Sequence, residues 1–90
     1  MEKANVIDIV KSRFADAEVK LEGEDCNFSI KVISPAFNGK KPLERQKSVL
    51  QGFSEYLRKG DLHALSVKAF TPEEWQQEQA RQQPVQIEGL

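Results

Sequence analysis

Two side chains in this sequence have the chemistry of ligands for a soft metal, and they lie far apart in the chain. They are the single histidine, His63, and the single cysteine, Cys26. Neutral imidazole is a common metal ligand, and coordination favours the thiolate form of cysteine. Metal ligation is therefore the first hypothesis. Two other interpretations stay open, in which His63 is a capping histidine satisfied by a backbone carbonyl and Cys26 is an incidental small residue at a turn.

These two side chains alone do not make a metal site or a catalytic site of the usual kind. Zinc normally takes three or four protein ligands, so the pair is too small a set for a zinc site. Nucleophilic catalysis by Cys26 would need His63 as an oriented base, a third group that orients the base, and an oxyanion site. Since the sequence offers only the pair, we predict that the protein is not an enzyme.

Composition limits the protein to one small domain. Ninety residues with 39% hydrophobic and 30% charged content can bury one modest core. The sequence has no apolar stretch near the roughly 20 residues that cross a bilayer, and no hydrophobic run of the kind a secretion signal requires. A single cysteine excludes an intramolecular disulfide and fits a reducing compartment. We therefore expect a cytoplasmic protein with no membrane partner.

The formal net charge of −1 hides a segregation of charge along the chain. Acidic stretches at 16–26 and from Glu73 onward enclose a basic band at 40–59. Such a band can steer a partner or contact the phosphates of DNA, but a charge run is also commonly no more than solvated surface. The basic side chains of the band are Lys40, Lys41, Arg45, Lys47, Arg58 and Lys59.

Hydrophobic periodicity predicts the elements that must position these residues. Apolar residues at helical spacing predict an amphipathic helix over 2–15. Alternation over 18–22 and again over 27–32 predicts two strands that pair antiparallel. Residues 23–26 supply the turn between them. Cys26 is thus expected in the loop that joins the first two strands.

A loop and a second helix follow. Proline cannot donate to a sheet, so Ser34-Pro35 ends the second strand and 34–41 is predicted to be a loop. Pro42 suits a first helical position, and the helix is expected to run to about Lys59 with Gly60 as its cap. Gly52 inside it indicates close packing or a local break. The predicted buried stripe of this helix is Leu43, Val49, Leu50, Phe53 and Leu57.

The last elements place His63 at the margin of a sheet. Leu65 and Val67 share a parity with His63, so the third strand is predicted to begin at about His63 with the imidazole toward the core face. Thr71-Pro72-Glu73-Glu74 has the pattern of a capping box, which begins a short helix that carries the only tryptophan, Trp75. Residues 81–90 are polar and aperiodic, and we expect a disordered tail after a domain of 1–80.

The element order α-β-β-α-β-α contains one crossover, between the second and third strands. A right-handed crossover makes those strands parallel, whereas the first two are antiparallel. The predicted fold class is therefore α+β, a three-stranded mixed sheet packed on one side by helices.

Several motifs together resemble the BolA family of small cytosolic proteins. The resemblance covers about residues 2–78 and is carried by Phe37-Asn38-Gly39 with Arg45 six positions later, and by the block from His63 to Trp75. Many family members have Arg-His where this chain has Arg45-Gln46, a change that resembles the acid-stress branch typified by IbaG, also called YrbA. The family's fold is similar to a type II K-homology domain, which agrees with the predicted element order.

The resemblance implies a role in iron-sulfur chemistry. Members of the family are partners of monothiol glutaredoxins, with which they share a 2Fe-2S cluster. Such a cluster needs four ligands, so the isolated chain is expected to bind none. His63 occupies the position of the family's ligand histidine, and Cys26 lies where a second ligand is often found. A glutaredoxin cysteine and a bound glutathione thiolate would supply the remaining ligands.

A second function stays open, because some family members are described as DNA-binding regulators. The Gly-x-x-Gly loop by which K-homology domains clamp RNA is missing, since the loop reads Asn38-Gly39-Lys40-Lys41-Pro42. The basic band would then contact DNA. Phe37 and Trp75 have structural explanations first, but both could border a partner-docking surface. Whether the chain alone is a monomer or a homodimer is also open.

Overall fold

The computed structural model describes residues 2–24 and 27–82, with the side chain of Gln82 left out. Element order follows the predicted α-β-β-α-β-α, except that the second helix is divided in two. The elements are α1 (Lys3–Arg13), β1 (Glu18–Glu24), β2 (Asn27–Ile33), a 3-10 turn (Pro35–Phe37), α2 (Pro42–Leu50), a 3-10 turn (Gln51–Phe53), α3 (Ser54–Lys59), β3 (Ala64–Phe70) and α4 (Pro72–Gln82).

The sheet confirms the predicted mixed topology. Its strand order is β1-β2-β3, with β1 antiparallel and β3 parallel to the central strand β2. Leu21, Ile30 and Val67 pair across the three strands and mark the middle of the register. β1 continues through Gly23 and Glu24, two residues that the sequence analysis assigned to the turn.

One face of the sheet carries the core. Alternate residues of β2 are buried, whereas their neighbours Ser29 and Lys31 are exposed or half-buried, as expected for a strand with one dry face. Helices α1 and α2 and the second 3-10 turn cover that face with side chains that are almost fully buried. The main contributors to this core are Val6, Val10, Phe28, Ile30, Val32, Phe37, Val49, Phe53 and Leu62.

The second helix breaks at Gly52. The sequence predicted close packing or a local break at this residue, and the structure shows both. The chain turns through a 3-10 segment at Gln51–Phe53 between α2 and α3. An added Cβ at Gly52 would lie 2.7 Å from Cδ of Arg13 and 3.2 Å from Cγ2 of Ile9. Glycine therefore lets the second helix approach α1 closely at this point.

Leu43 corrects the predicted stripe of the second helix, because its side chain is 61% exposed. Arg45 is buried in the same turn and lies four residues before the buried Val49, so these two residues share the inward face. Leu43, two positions before Arg45, consequently points away from the core.

Candidate functional site

His63 lies at one end of the sheet, in the short connection between α3 and β3. The structure begins β3 at Ala64, one residue later than predicted, and the imidazole is exposed rather than turned toward the core. Within residues 2–24 and 27–82, no side chain or backbone group forms a hydrogen bond or ion pair with this ring. The ring is therefore accessible to solvent.

The backbone beside His63 is held firmly although the ring itself is exposed. α3 ends at Gly60, whose φ of +88° is a left-handed conformation that favours glycine. Leu62 is then fully buried in the core, and its N–H donates to the carbonyl of Tyr56 at 3.1 Å. Leu62 therefore anchors the connection, so the adjacent imidazole projects from a fixed point.

The register of the sheet brings the end of β1 and the start of β2 to the end of the sheet at which β3 begins. Asn27, the first residue of β2, pairs with Ala64, the first residue of β3. Glu24, the last residue of β1, pairs with Asn27. Cys26 itself lies outside the described residues, but its covalent neighbour pairs with the covalent neighbour of His63. The assignment of His63 and Cys26 to one metal site stays a prediction.

The described part of the chain holds no group of three or more His, Cys, Asp or Glu side chains arranged to bind a metal ion. Its helices include none that is long and apolar enough to cross a membrane.

Arg45 has a different role from the predicted contact with DNA. Its side chain is only 9% exposed and reaches three separate segments of the chain. Nε donates to the carbonyl of Lys40 at 2.8 Å, and Nη1 donates to the carbonyl of Ala69 at 3.3 Å. Nη1 and Nη2 also donate to the carboxylate of Glu74 at 2.5 and 3.3 Å. Burial and these partners remove Arg45 from the set of residues that could contact phosphates.

The hydrogen bonds between Arg45 and Glu74 form a junction of α2 with α4. Glu74 also confirms the predicted capping box. The N–H of Thr71 donates to Oε1 of Glu74 at 3.0 Å, and the N–H of Glu74 donates to Oγ1 of Thr71 at 3.2 Å. The hydrogen bonds from Arg45, then the one from the Thr71 backbone, hold the pKa of the Glu74 carboxyl below its usual value. One carboxylate therefore both begins α4 and ties it to α2.

The neighbour of Arg45 also binds the edge of the sheet. Nε2 of Gln46 donates to the carbonyl of Val67 at 3.3 Å, next to the Arg45 bond to Ala69 along the same edge strand. The two side chains cover outward carbonyls of β3, which limits pairing with another strand there. Gln46 thus has a structural contact with the edge strand of the sheet.

Phe37 is a core residue, which corrects its predicted place on a docking surface. Its side chain is completely buried, and its ring centroid lies 5.1 Å from that of Phe14. The loop before it is ordered by Ser34, whose Oγ accepts from the N–H of Ala36 at 3.1 Å. Phe37 therefore packs its loop against the end of α1. A partner could not contact its side chain unless the loop moved.

Trp75 lies over the face of the sheet opposite the core. Its ring centroid is 5.3 Å from that of Phe70, and the ammonium of Lys31 lies 5.5 Å from the indole centroid. Phe70 and Lys31 both alternate with core-facing residues, so these contacts define the outer face. The half-buried indole leaves part of its surface open to a partner.

The remaining basic residues of the predicted DNA surface are exposed. Lys40 and Lys41 precede the first turn of α2, where the N–H of Lys41 donates to the carboxylate of Glu44 at 3.0 Å, and Lys47 lies in the last turn. Arg58 and Lys59 lie at the end of α3, and Arg58 forms an ion pair with Glu55. The structure therefore separates the band into two groups on different helices.

The junction of Arg45 with Glu74 is the feature that the sequence analysis missed. Glu74 lies 29 positions after Arg45, so no local pattern joins them. One signal was present, because Arg45 lies on the same helical face as Val49. An arginine on a buried stripe needs an acidic partner, and the capping carboxylate of α4 provides it.

Comparison with known proteins agrees with this fold. A family model described as BolA-like protein matches residues 2–74. An uncharacterized protein from the rpoN-murA intergenic region of Acinetobacter guillouiae is 35% identical over 75 residues, which cover 83% of this chain and 90% of that protein. Acid stress protein IbaG of Escherichia coli K12 is 28% identical over 75 residues, which cover 83% of this chain and 89% of that protein. 

A solved structure shares the same fold. The structure of a BolA protein homologue from Coxiella burnetii superimposes with a TM-score of 0.73 at 26% identity, over 84% of this chain and 97% of that one. Given the extent of the family match, this chain belongs to the BolA-like family.

Proposed function

We propose that this protein is a non-enzymatic adaptor that docks on a monothiol glutaredoxin and helps to ligate a 2Fe-2S cluster shared with it. In this proposal His63 is one ligand and Cys26 is a second. A cysteine of the glutaredoxin and a glutathione thiolate supply the other two. The adaptor would act in iron-sulfur and iron homeostasis and in the response to stress, within a reducing compartment such as the cytoplasm.

The exposed imidazole of His63 is the observation that carries the proposal. It projects from a backbone anchored by Leu62, and no described group engages its nitrogens. A side chain that binds a cluster held between two proteins must be reachable from the partner, so the imidazole has to be exposed. In a metal site formed by one chain alone, the same exposure would be unfavourable. The anchored backbone limits the conformational entropy lost when the ring binds.

The donor set of this chain fits a shared cluster better than a resident one. A 2Fe-2S cluster takes four ligands, normally thiolates, and imidazole can replace some of them. The sequence holds one histidine and one cysteine, so in this proposal a partner supplies the other two ligands. The pairing of Asn27 with Ala64 supports Cys26 as the second ligand, because it relates the covalent neighbours of the two residues.

The test is to mix this protein anaerobically with a cluster-loaded monothiol glutaredoxin and follow the visible circular dichroism spectrum. Wild type is expected to change the spectrum as the coordination of the cluster changes, and His63→Ala is expected to abolish that change. Cys26→Ser should alter the spectrum further if Cys26 is a ligand.

Asp61→Asn is the matched control, since Asp61 is exposed in the same connection and is not a proposed ligand. Far-ultraviolet circular dichroism checks that each variant is folded. A spectrum of the mixture that is identical for wild type and His63→Ala would remove the imidazole from the cluster and end the proposal.

DNA binding by the basic residues of α2 is the second candidate function. The observation that favours it is the exposure of Lys40 and Lys41 just before α2 and of Lys47 in its last turn. Such contacts would position the protein on a duplex without reading its sequence, and would weaken as salt is raised. A gel shift of a defined promoter fragment that is lost on charge reversal at these lysines, and kept in His63→Ala, would support this function.

A further inference from the structure

The outer face of the sheet carries a row of three lysines that neither proposed function uses. Lys20 pairs with Lys31 across β1 and β2, and Lys31 pairs with Lys68 across β2 and β3. Residues that pair directly point to the same face, and neighbouring strands are only about 4.8 Å apart. Like charges placed opposite each other are unfavourable. Such a row is more stable when an anion lies against it.

The three ammonium groups differ in how far they are neutralised. Lys20 forms an ion pair with Glu18 at 2.8 Å, and the ammonium of Lys31 lies over the Trp75 ring. Lys68 is exposed and pairs with no carboxylate in the described part of the chain. The acidic side chains on this face of the strands, Glu18, Glu22 and Glu24, all belong to β1. On α4, Glu74 and Glu78 line a groove with Lys68, but they form ion pairs with Arg45 and Arg81. An anion is therefore favoured over β2 and β3, at Lys31 and Lys68.

Aromatic and hydroxyl groups lie on either side of the lysine row. On one side, Phe70 supports the half-buried indole of Trp75. On the other side, Ser29 pairs with the exposed Ser66 and offers hydroxyl donors. A groove with a volume of about 450 Å³ lies between Trp75 and the strands, and its polar lining is Lys20, Glu22, Ser29 and Lys31. The face thus combines a stacking surface with cations and hydrogen-bond donors.

We propose that this outer face binds single-stranded nucleic acid, with a base stacked on Trp75 and the adjacent phosphates on Lys31 and Lys68. Aromatic side chains beside a basic surface are the usual means of binding single strands, because every base has a face that can stack. In the free protein the ammonium of Lys31 covers the indole. An incoming base takes that place, and the ammonium moves to a phosphate.

The same features argue against two other occupants. A duplex keeps its bases paired and stacked, so it cannot place a base on Trp75 without being opened. An acidic peptide would neutralise the lysines but would not use the indole. The surface also differs from the DNA candidate on α2, since it lies on strands and α4 and none of its lysines belongs to the basic band.

The only tryptophan of the chain reports binding directly. The test is to titrate the protein with oligothymidylate of about eight nucleotides, within the usual range of site sizes, while following Trp75 fluorescence. Stacking should quench the emission. Two phosphate contacts predict that log K falls with log salt concentration with a slope of about −1.4, which is about a sevenfold weakening between 50 and 200 mM salt.

Variants separate the contributions of charge and stacking. Lys68→Gln should reduce the salt slope to about −0.7, whereas Lys47→Gln, a matched change on α2, should leave it unchanged. Trp75→Leu keeps an apolar contact with Phe70 but cannot stack a base, and it should weaken binding of a labelled oligonucleotide about tenfold. Thermal unfolding followed by circular dichroism identifies any variant that has lost its fold.

Each alternative occupant gives a different result. Absence of quenching, or binding that is lost in Lys47→Gln and kept in Lys68→Gln, would overturn the proposal. The proposal would also be overturned if a duplex of the same length competed for the site as strongly as the single strand does. If polyglutamate displaced the oligonucleotide at the same concentration of negative charge, the face would be a binding site for acidic proteins and the proposal would be wrong. His63→Ala should bind oligothymidylate like wild type, so this test is independent of the cluster proposal.

Discussion

The junction of Arg45 with Glu74 is expected to contribute a large share of the stability of this small domain. Arg45→Met keeps most of the buried aliphatic volume and removes every donor of the guanidinium. The carbonyls of Lys40 and Ala69 each lose a hydrogen bond that contributes about 1 kcal/mol. The side chain of Glu74 is 45% exposed, so the ion pair contributes no more than about 1 kcal/mol to the free energy of unfolding.

The expected loss for Arg45→Met is therefore about 3 kcal/mol in the free energy of unfolding. For a domain of this size, each kcal/mol lowers Tm by about 4–8 °C. Glu74→Gln should lose only about 1 kcal/mol, because glutamine can still accept from the N–H of Thr71 and cap α4. Urea unfolding followed by circular dichroism measures both changes.

Lys47→Met provides the control, since Lys47 is exposed on the same helix. Its free energy of unfolding should stay within about 0.5 kcal/mol of wild type. If Arg45→Met also stayed within that margin, the hydrogen bonds of the guanidinium would contribute nothing to stability, and the reasoning would be refuted.

Further predictions concern pH, the anchor of His63 and two glycines. The lowered pKa of Glu74 stabilises the fold above the ordinary carboxyl pKa, and that contribution is lost as pH falls through the folded-state value; the stability difference between wild type and Glu74→Gln should therefore shrink below about pH 4.5 in urea titrations at several pH values. Leu62→Ala should cost about 2–5 kcal/mol in the same unfolding assay, because Leu62 is fully buried, and a cost below about 1 kcal/mol would contradict its role as anchor. Gly60→Ala should cost about 1 kcal/mol because of its left-handed φ, and an unchanged Tm would refute that strain. Gly52→Ala should also lower Tm, since its Cβ would lie 2.7 Å from Cδ of Arg13, whereas a raised Tm would show that Arg13 moves aside freely.

The parts of the fold that the sequence predicted are those set by local patterns. Alternation in β2 gave its buried face, and the spacing of Thr71 and Glu74 gave the capping box that begins α4. Gly60 marked the end of the second helix through its left-handed conformation. Each of these signals acts within a few residues, so no knowledge of the tertiary structure was needed.

The parts that it did not predict depend on contacts between distant segments. Arg45 belonged to a basic run and was assigned to DNA binding, yet its burial depends on Glu74, 29 positions away. Phe37 stands beside a turn signal, but its burial depends on Phe14, the residue that follows α1. The face on which Trp75 lies follows from how α4 packs on Phe70, and a helical start signal contains no information on that.

The candidate site was predicted in part. The sequence placed His63 at the margin of the sheet, and the structure locates it there as an exposed residue just before β3. Parity suggested a ring facing the core, but the strand begins one residue later, so strand alternation does not apply to His63. The assignment of Cys26 as a ligand stays a prediction, because Cys26 lies outside the described residues.

The most direct test of the shared-cluster proposal uses the fact that the chain has one histidine. The protein is labelled with nitrogen-15 histidine and mixed with an unlabelled, cluster-loaded monothiol glutaredoxin. The cluster is then reduced and examined by pulsed electron paramagnetic resonance. A nitrogen-15 coupling of the size of a directly bound imidazole is predicted. A reduced cluster in the complex without that coupling would contradict the assignment of His63 as a ligand.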